Sequence, residues 1–374
     1  MHTELSLSEE TFPVINAAGT LTSLGGCQTR PEAIEAMKNA ADQFISYEVL
    51  LRKTGEHLAR ILGVPAAIVT SGAAPGLTLA TAACMVGDNL LLASRLPAPP
   101  PKHKVIIQCS HRNPFERAIS LSGASLVQVG DAINTRSADL EAAIDEQTAA
   151  AIYFLQAEML DSSLGLAETL EVAHAHNLPV IVDAAAELPP KSNLWELVNV
   201  GADLVIFSGG KDLRGPQASG LMVGRSDLID SALMQSAPHE HVIGRVLKPG
   251  KEAVAGLVAA VEAYLQENEV ARLAEWERIT AYLIDALGSF PGLQARRFIP
   301  TQPQIQPACI PRVAVSLDGE ISLTIPELKL ALWQGNPPIA TEIIRGNLIF
   351  NSHTLTMTEG EKIILKLRKI LNTR

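Results

Sequence analysis

Between residues 66 and 224 short apolar runs alternate with stretches of helical pattern, and this alternation narrows the possible folds most. The runs are Ala66 to Thr70, Val105 to Cys109, Ser125 to Val129, Ala150 to Leu155, Val180 to Asp183, Leu204 to Phe207 and Gly220 to Val223. Runs this short, bounded by Gly, Pro and polar residues, have the length of buried strands and not of helices. Strands that alternate with helices lie side by side in parallel, with helices on both faces. The expectation is an α/β chain with a mostly parallel sheet of seven strands. Hydrophobic residues at 47% and charged residues at 19% supply the apolar surface that such a core needs.

Beyond about residue 250 the texture changes. A long amphipathic helix is predicted through Ala253 to Gln266 and on to Leu287, then Pro-punctuated strands near Ala308 to Leu317. A helix around Pro326 to Trp333, a strand at Asn347 to Phe350 and a last helix from Glu359 to Leu371 follow, a pattern that predicts a smaller α+β domain. The stretch Asn16-Ala17-Ala18-Gly19-Thr20 reads as a loop that returns toward the site. The expected limits are therefore 1–45 for a segment joining the smaller domain, 46–250 for the large domain and 251–374 for the smaller one. The stretch Leu96-Pro97-Ala98-Pro99-Pro100-Pro101 reads as a stiff surface connection.

Composition removes several classes of function. A net charge of -10 with no Lys/Arg-rich stripe argues against a nucleic-acid partner, whose binding rests on neutralised phosphates. Cys27, Cys84, Cys109 and Cys309 lie far apart with no CxxC spacing, so no metal site and no redox pair are expected. The start MHTELSLSEETF lacks a basic, apolar leader, and no run approaches the ~20 residues of a membrane span. The expected place is the cytoplasm, away from membranes.

The chemistry concentrates at strand ends. Lys211, in SGGKDLRGPQASG, follows the run Leu204 to Phe207, and Asp183 ends the run Pro179 to Val182. Open α/β sheets bind ligands at the carboxyl ends of their strands. A lysine and an aspartate on neighbouring strand ends suit pyridoxal 5'-phosphate, the amine for a Schiff base and the carboxylate for the pyridinium nitrogen. An exposed loop lysine and an aspartate capping a helix are the plain alternatives. Ser71, Gly72 and Ala73 open a helix after the first strand, where free amides and the helix dipole favour a phosphate. Neither GK[ST] nor GxGxxG spacing is present there. Ser208 can add a hydroxyl to the same phosphate. His111, two residues past the strand Val105 to Cys109, can stack on a flat ring or move protons.

With these residues in place the chain resembles the fold-type I pyridoxal phosphate enzymes, and within them the selenocysteine synthase-like branch. That branch includes L-seryl-tRNA selenium transferase and D-glucosaminate-6-phosphate ammonia-lyase-like proteins. The likeness runs through VINAAGTLTSLGG (14–26), VTSGAAPGLTLATAACMVG (69–87), HRNPFERAISLSGA (111–124), IVDAAAELPP (181–190), SGGKDLRGPQASGLMVGR (208–225) and IGRVLKPGKEAVAGLVAAVEAYL (243–265). The resemblance implies a sheet of the aspartate aminotransferase type. It implies Lys211 as the aldimine lysine, Asp183 on the ring nitrogen, Ser71, Gly72, Ala73 and Ser208 on the phosphate, and His111 against the ring. It also implies a homodimer or higher homo-oligomer with an interface active site, to which Arg245 and Lys248 of the other subunit add positive charge.

Where relatives of the branch carry Asp-Leu-Arg-Thr, with an arginine placed for a substrate carboxylate, this chain reads Asn351-Ser352-His353-Thr354. Histidine lacks the bidentate fork. Arg345, Arg30 or Arg112 then holds the substrate, or the substrate differs. Arg112, Glu158, Arg345 and His353 are the candidate substrate contacts, with Glu187 beside them. The absence of an extra N-terminal segment and of a basic balance argues against selenocysteine synthesis on tRNA. The leading expectation is a lyase of the β-elimination or ammonia-lyase type acting on an amino acid or amino sugar acid through a Cα carbanion, with Lys211 as base. A pyridoxal phosphate-dependent transferase, aminotransferase or selenium-transferase-like, and a catalytically idle pyridoxal phosphate-binding protein are the alternatives.

Overall fold

The structure is a computed structural model and describes residues 13–155, 162–299, 309–318 and 321–372. The chain divides into two compact units. One holds residues 27–267, and the other holds the described residues 13–26 and those from 268 on.

The larger unit is built on the expected seven-stranded sheet. Its strands are β1 (Ala66–Thr70), β2 (Lys104–Gln108), β3 (Ser125–Val129), β4 (Thr148–Phe154), β5 (Val180–Asp183), β6 (Leu204–Ser208) and β7 (Gly220–Gly224). They lie in the order β1-β7-β6-β5-β4-β2-β3. All neighbouring pairs are parallel except those of β7, which runs antiparallel to both β1 and β6. Central strands read as continuous apolar runs because both faces are covered: Val180, Ile181, Val182, Leu204, Val205, Ile206 and Phe207 are all fully buried. The helix Ala73–Val86 is apolar on every side for the same reason, packing Leu77, Leu79, Ala80 and Ala83 into the core on one face of the sheet.

The helices Pro31–Ala41 and Lys251–Gln266 lie against each other and both group with the larger unit. The compact units therefore differ from the expected domain limits over residues 27–45 and 251–267. The single helix expected from Ala253 to Leu287 is instead two, Lys251–Gln266 and Glu269–Gly288. Glu267 is extended at φ -64° and ψ 143°, and the Asn268 side chain accepts the Ala271 amide at 3.0 Å. Asparagine is a strong N-cap, so the second helix starts afresh there.

In the smaller unit the strands Leu293–Phe298, Arg312–Leu317, Asn347–Asn351 and Glu342–Ile344 form an antiparallel sheet. Ile15–Asn16 pairs in parallel with Ile339–Ala340. The helices Glu269–Gly288, Ile325–Trp333 and Met357–Asn372 close a core around Ile279, Leu283, Val313, Phe350 and Ile363. Among the described residues no helix is long and apolar enough to cross a membrane.

Candidate active site

Register places the chemistry on one edge of the sheet. Phe154 pairs with Asp183, and Asp183 with Ile206, so β4, β5 and β6 end side by side. β7 runs the other way, and its first residue, Gly220, pairs with Thr70 on one side and Ser208 on the other. The segments following Thr70, Asp183 and Ser208 therefore leave the sheet together.

The segment after Thr70 is a tight turn. The Thr70 hydroxyl donates to the Gly72 carbonyl at 2.8 Å, and Gly72 sits at φ 147°, where side chains are strained. A Cβ on Gly220 would lie 2.6 Å from the Gly72 carbonyl carbon, so the backbones approach only because Gly220 has none. The helix from Ala73 leaves the amides of Ala73 and Ala74 without intrahelical acceptors, and Pro75 has no N–H to offer. Such a helix start favours an anion. The Ser71 hydroxyl donates to the Leu247 carbonyl at 2.7 Å, so its proton is committed within the protein. Ser208 stands one strand away, across Gly220.

Asp183 is 7% exposed, and its carboxylate accepts the Ala185 amide at 2.9 Å. Burial raises its pKa, opposed by that amide and by the positive charge of Lys211. Glu187, at 2% exposure, is pushed well above the carboxylate range by burial, with Lys211 pulling it down and Asp183 pushing it further up. Burial lowers the Lys211 amine, while Asp183, Glu187 and Cys27 hold it up. Three ionisable groups thus act on one another here, with burial favouring the neutral, nucleophilic form of the amine.

His111 is fully buried, edge-on to Tyr153 with ring centroids 4.5 Å apart. Its Nδ1 accepts the Phe154 amide at 3.4 Å, and its Nε2 is buried with no hydrogen-bond partner. Burial brings its pKa down to about 4.

The substrate candidates separate. Arg112 gives Nε and Nη2 to Glu116 at 2.5 and 2.8 Å and Nη1 to Gln128 at 2.8 Å, so its fork is already engaged. The Arg30 side chain is 5% exposed and bonds the Leu213 carbonyl and Glu267, which removes it as a substrate clamp. Arg345, exposed at φ 48°, forms the turn before Asn347 in the smaller unit. His353 lies in the same unit, edge-on to Trp276 at 4.9 Å. Glu158 lies outside the described residues.

Two residues near the site carry more than sequence reasoning assigned them. Glu187, expected from the sequence as a substrate contact, is coupled to Asp183 and Lys211; a carboxylate among apolar residues four positions after Asp183 is the signal in the sequence. Gln108, at 2% exposure, bonds both the amide and the carbonyl of Leu164, at 2.6 and 3.1 Å, and fixes the end of β2 before His111.

These groups fit pyridoxal 5'-phosphate. The helix start at Ala73 suits its phosphate, Asp183 its ring nitrogen and Lys211 its aldehyde, while the orphaned Nε2 of His111 awaits a polar partner. The sheet order and these strand-end groups define a class, the pyridoxal phosphate enzymes of fold type I, with a sheet of the aspartate aminotransferase type. Within it, the chain belongs to the L-seryl-tRNA selenium transferase family, whose sequence profile matches residues 14–285. It is 32% identical to D-glucosaminate-6-phosphate ammonia lyase of Salmonella typhimurium, over 96% of this chain and 95% of that one. It is also 32% identical to 5'-C-glycyluridine monooxygenase-decarboxylase of a Streptomyces species, over 96% and 90% of the two chains. The solved structure of D-glucosaminate-6-phosphate ammonia-lyase superposes with a TM-score of 0.84 at 30% identity, covering 100% of this chain and 99% of that one. The chain is an enzyme of lyase or transferase type with pyridoxal phosphate as its cofactor.

Proposed function

We propose that the chain is a lyase that eliminates a β-substituent or ammonia from an amino acid or amino sugar acid. The observation that carries this reading is the buried field shared by Lys211, Asp183 and Glu187 at the carboxyl edge of the sheet. Full-length similarity to an ammonia lyase supports it.

When bound, pyridoxal phosphate supplies an electron sink that stabilises negative charge at Cα of an attached amine. Asp183, whose buried carboxyl closes β5, would pair with the ring nitrogen. The amides of Ala73 and Ala74, the Ser71–Gly72 turn and Ser208 would hold the phosphate. His111, neutral near pH 7, would flank the ring. Lys211 would take the Cα proton at Nζ, and burial, which lowers its pKa, favours the neutral amine that this needs. Glu187 shares the buried surroundings of Lys211 and Asp183. Arg345 and His353 remain candidates for the substrate's carboxylate.

A second reading is a transferase using the same proton abstraction, favoured by the family that the chain belongs to. We also propose a homodimer or larger assembly in the cytoplasm, with Arg245 and Lys248 of the other subunit adding charge to the site. Val246, between them, is 85% exposed, as an interface residue would be in a single subunit.

The test is a panel of amino acids and amino sugar phosphates, scored for ammonia and keto-acid release and for changes in cofactor absorption. Ammonia release without a second substrate supports the lyase. Turnover that requires an acceptor supports the transferase. A cofactor spectrum indifferent to every amine contradicts both and leaves an idle binder.

A further inference from the structure

The loop that carries Lys211 is held by residues that the proposed chemistry does not use. It leaves β6 after Ser208 and turns back at once: the Arg214 amide donates to the Lys211 carbonyl at 2.9 Å, and the Gly215 amide to the Gly209 carbonyl at 2.8 Å. Arg214 sits at φ 55°, a left-handed conformation that is strained for a non-glycine residue. Such backbone persists only where its surroundings overdetermine it.

Residues 27–30 do so. The Cys27 amide donates to the Gly210 carbonyl at 3.0 Å, the Arg30 amide to the Arg214 carbonyl at 2.8 Å, and Arg214 Nε returns a bond to the Gln28 carbonyl at 3.0 Å. The Arg30 side chain then reaches back and donates from Nε to the Leu213 carbonyl at 2.7 Å. Its Nη1 is paired with Glu267 at 2.6 Å, and its guanidinium carbon lies 5.5 Å from the centroid of the Tyr264 ring. Tyr264, 1% exposed, donates its hydroxyl to Asp212, 2% exposed, at 2.8 Å. Gly210, Asp212, Leu213 and Arg214 are therefore all tied either to residues 27–30 or to Tyr264, on both sides of the lysine, with Arg30, Tyr264 and Asp212 themselves buried.

Buried ionic layers are a poor route to stability, since apolar replacements of similar volume are often neutral or stabilising. What a fork such as Arg30 provides and an apolar side chain does not is a fixed donor direction. We infer that Arg30 and Tyr264 are positioning residues that set the direction of the Lys211 side chain by clamping the backbone around it. The inference rests on Lys211 being the cofactor lysine.

The test compares wild type with Arg30→Met, Arg30→Lys and Tyr264→Phe. The rate at which pyridoxal phosphate joins Lys211 is followed by absorption and verified by borohydride fixation, the pH midpoint of the bound cofactor's absorption is titrated, and melting temperatures are recorded. A misplacement of about 1 Å at a reacting group costs up to ~100-fold. Arg30→Met and Tyr264→Phe are expected to join the cofactor roughly tenfold or more slowly, with a displaced pH midpoint, and Arg30→Lys not to restore the rate. Tyr264→Phe removes one hydroxyl and keeps the ring, so it decides the matter if Arg30→Met does not fold. Wild-type attachment rate and pH midpoint in Tyr264→Phe, with only a lower melting temperature, would show a scaffold and overturn the inference. Failure of wild type itself to join the cofactor through Lys211 overturns the functional reading as well, and the wild-type control separates the two cases.

Discussion

The Phe154 amide donates to Nδ1 of His111 at 3.4 Å. Because that nitrogen accepts, the neutral ring carries its proton on Nε2. Burial holds the pKa at about 4, so the ring near pH 7 is a neutral donor beside the site and not a reservoir of protons. Of the two roles expected for His111, flanking a flat ring fits this state.

The same burial predicts a pH signature. Unfolded histidine takes up a proton near pH 6.5, whereas His111 in the folded chain does so only near pH 4. Its folded pKa is depressed, so stability present above pH 6.5 is lost as pH falls toward 4. Between pH 7 and pH 5 wild type should lose about 2 kcal/mol that His111→Phe does not lose. Urea unfolding at the two pH values measures the difference, and parallel losses in both proteins would contradict it.

Asp183 carries the opposite sign. Burial raises its folded pKa, so the stability linked to its protonated form is present at low pH and lost as pH rises through that value. Above that value the ionised carboxylate is retained at a cost. Asp183→Asn should therefore melt, without cofactor, at or above the wild-type temperature, while turnover falls by roughly 100-fold or more. A large drop in melting temperature with unchanged turnover would assign Asp183 to structure alone.

Gly220→Ala tests the phosphate turn. Its Cβ would press within 2.6 Å of the Gly72 carbonyl carbon and displace Ser71–Ala73. Equilibrium titration should show pyridoxal phosphate bound about tenfold more weakly, the equivalent of roughly 1.4 kcal/mol. Unchanged affinity would place the phosphate elsewhere.

Arg112 offers a contrast. With its three donor nitrogens engaged by Glu116 and Gln128, Arg112→Ala should change KM less than about threefold, near the small effects usual for surface positions. A KM rise of tenfold or more, with kcat kept, would return it to the substrate.

Much of the larger sheet was legible because its signal is local. All seven apolar runs became strands, with ends shifted by at most two residues. Lys211 and Asp183 stood out as polar residues closing apolar runs. Strand order was not legible, since register between β7 and its neighbours is a tertiary fact. Leu293–Phe298 was missed because its exposed Gln294, Arg296 and Arg297 dilute the apolar pattern. The break at Glu267–Asn268 was hidden inside a continuous helical periodicity that one N-cap overrides. Arg30 misled as a substrate clamp because its partner Glu267 lies 237 residues away in sequence.

The measurement that bears most directly on the account is the absorption spectrum of the purified protein with pyridoxal phosphate, before and after borohydride, for wild type and Lys211→Ala. The account predicts a visible band in wild type that borohydride abolishes, fixing the cofactor on the peptide that holds Lys211, and no such fixation in Lys211→Ala. A cofactor fixed equally in both proteins, or in neither, would contradict the assignment of Lys211 and with it the proposed chemistry.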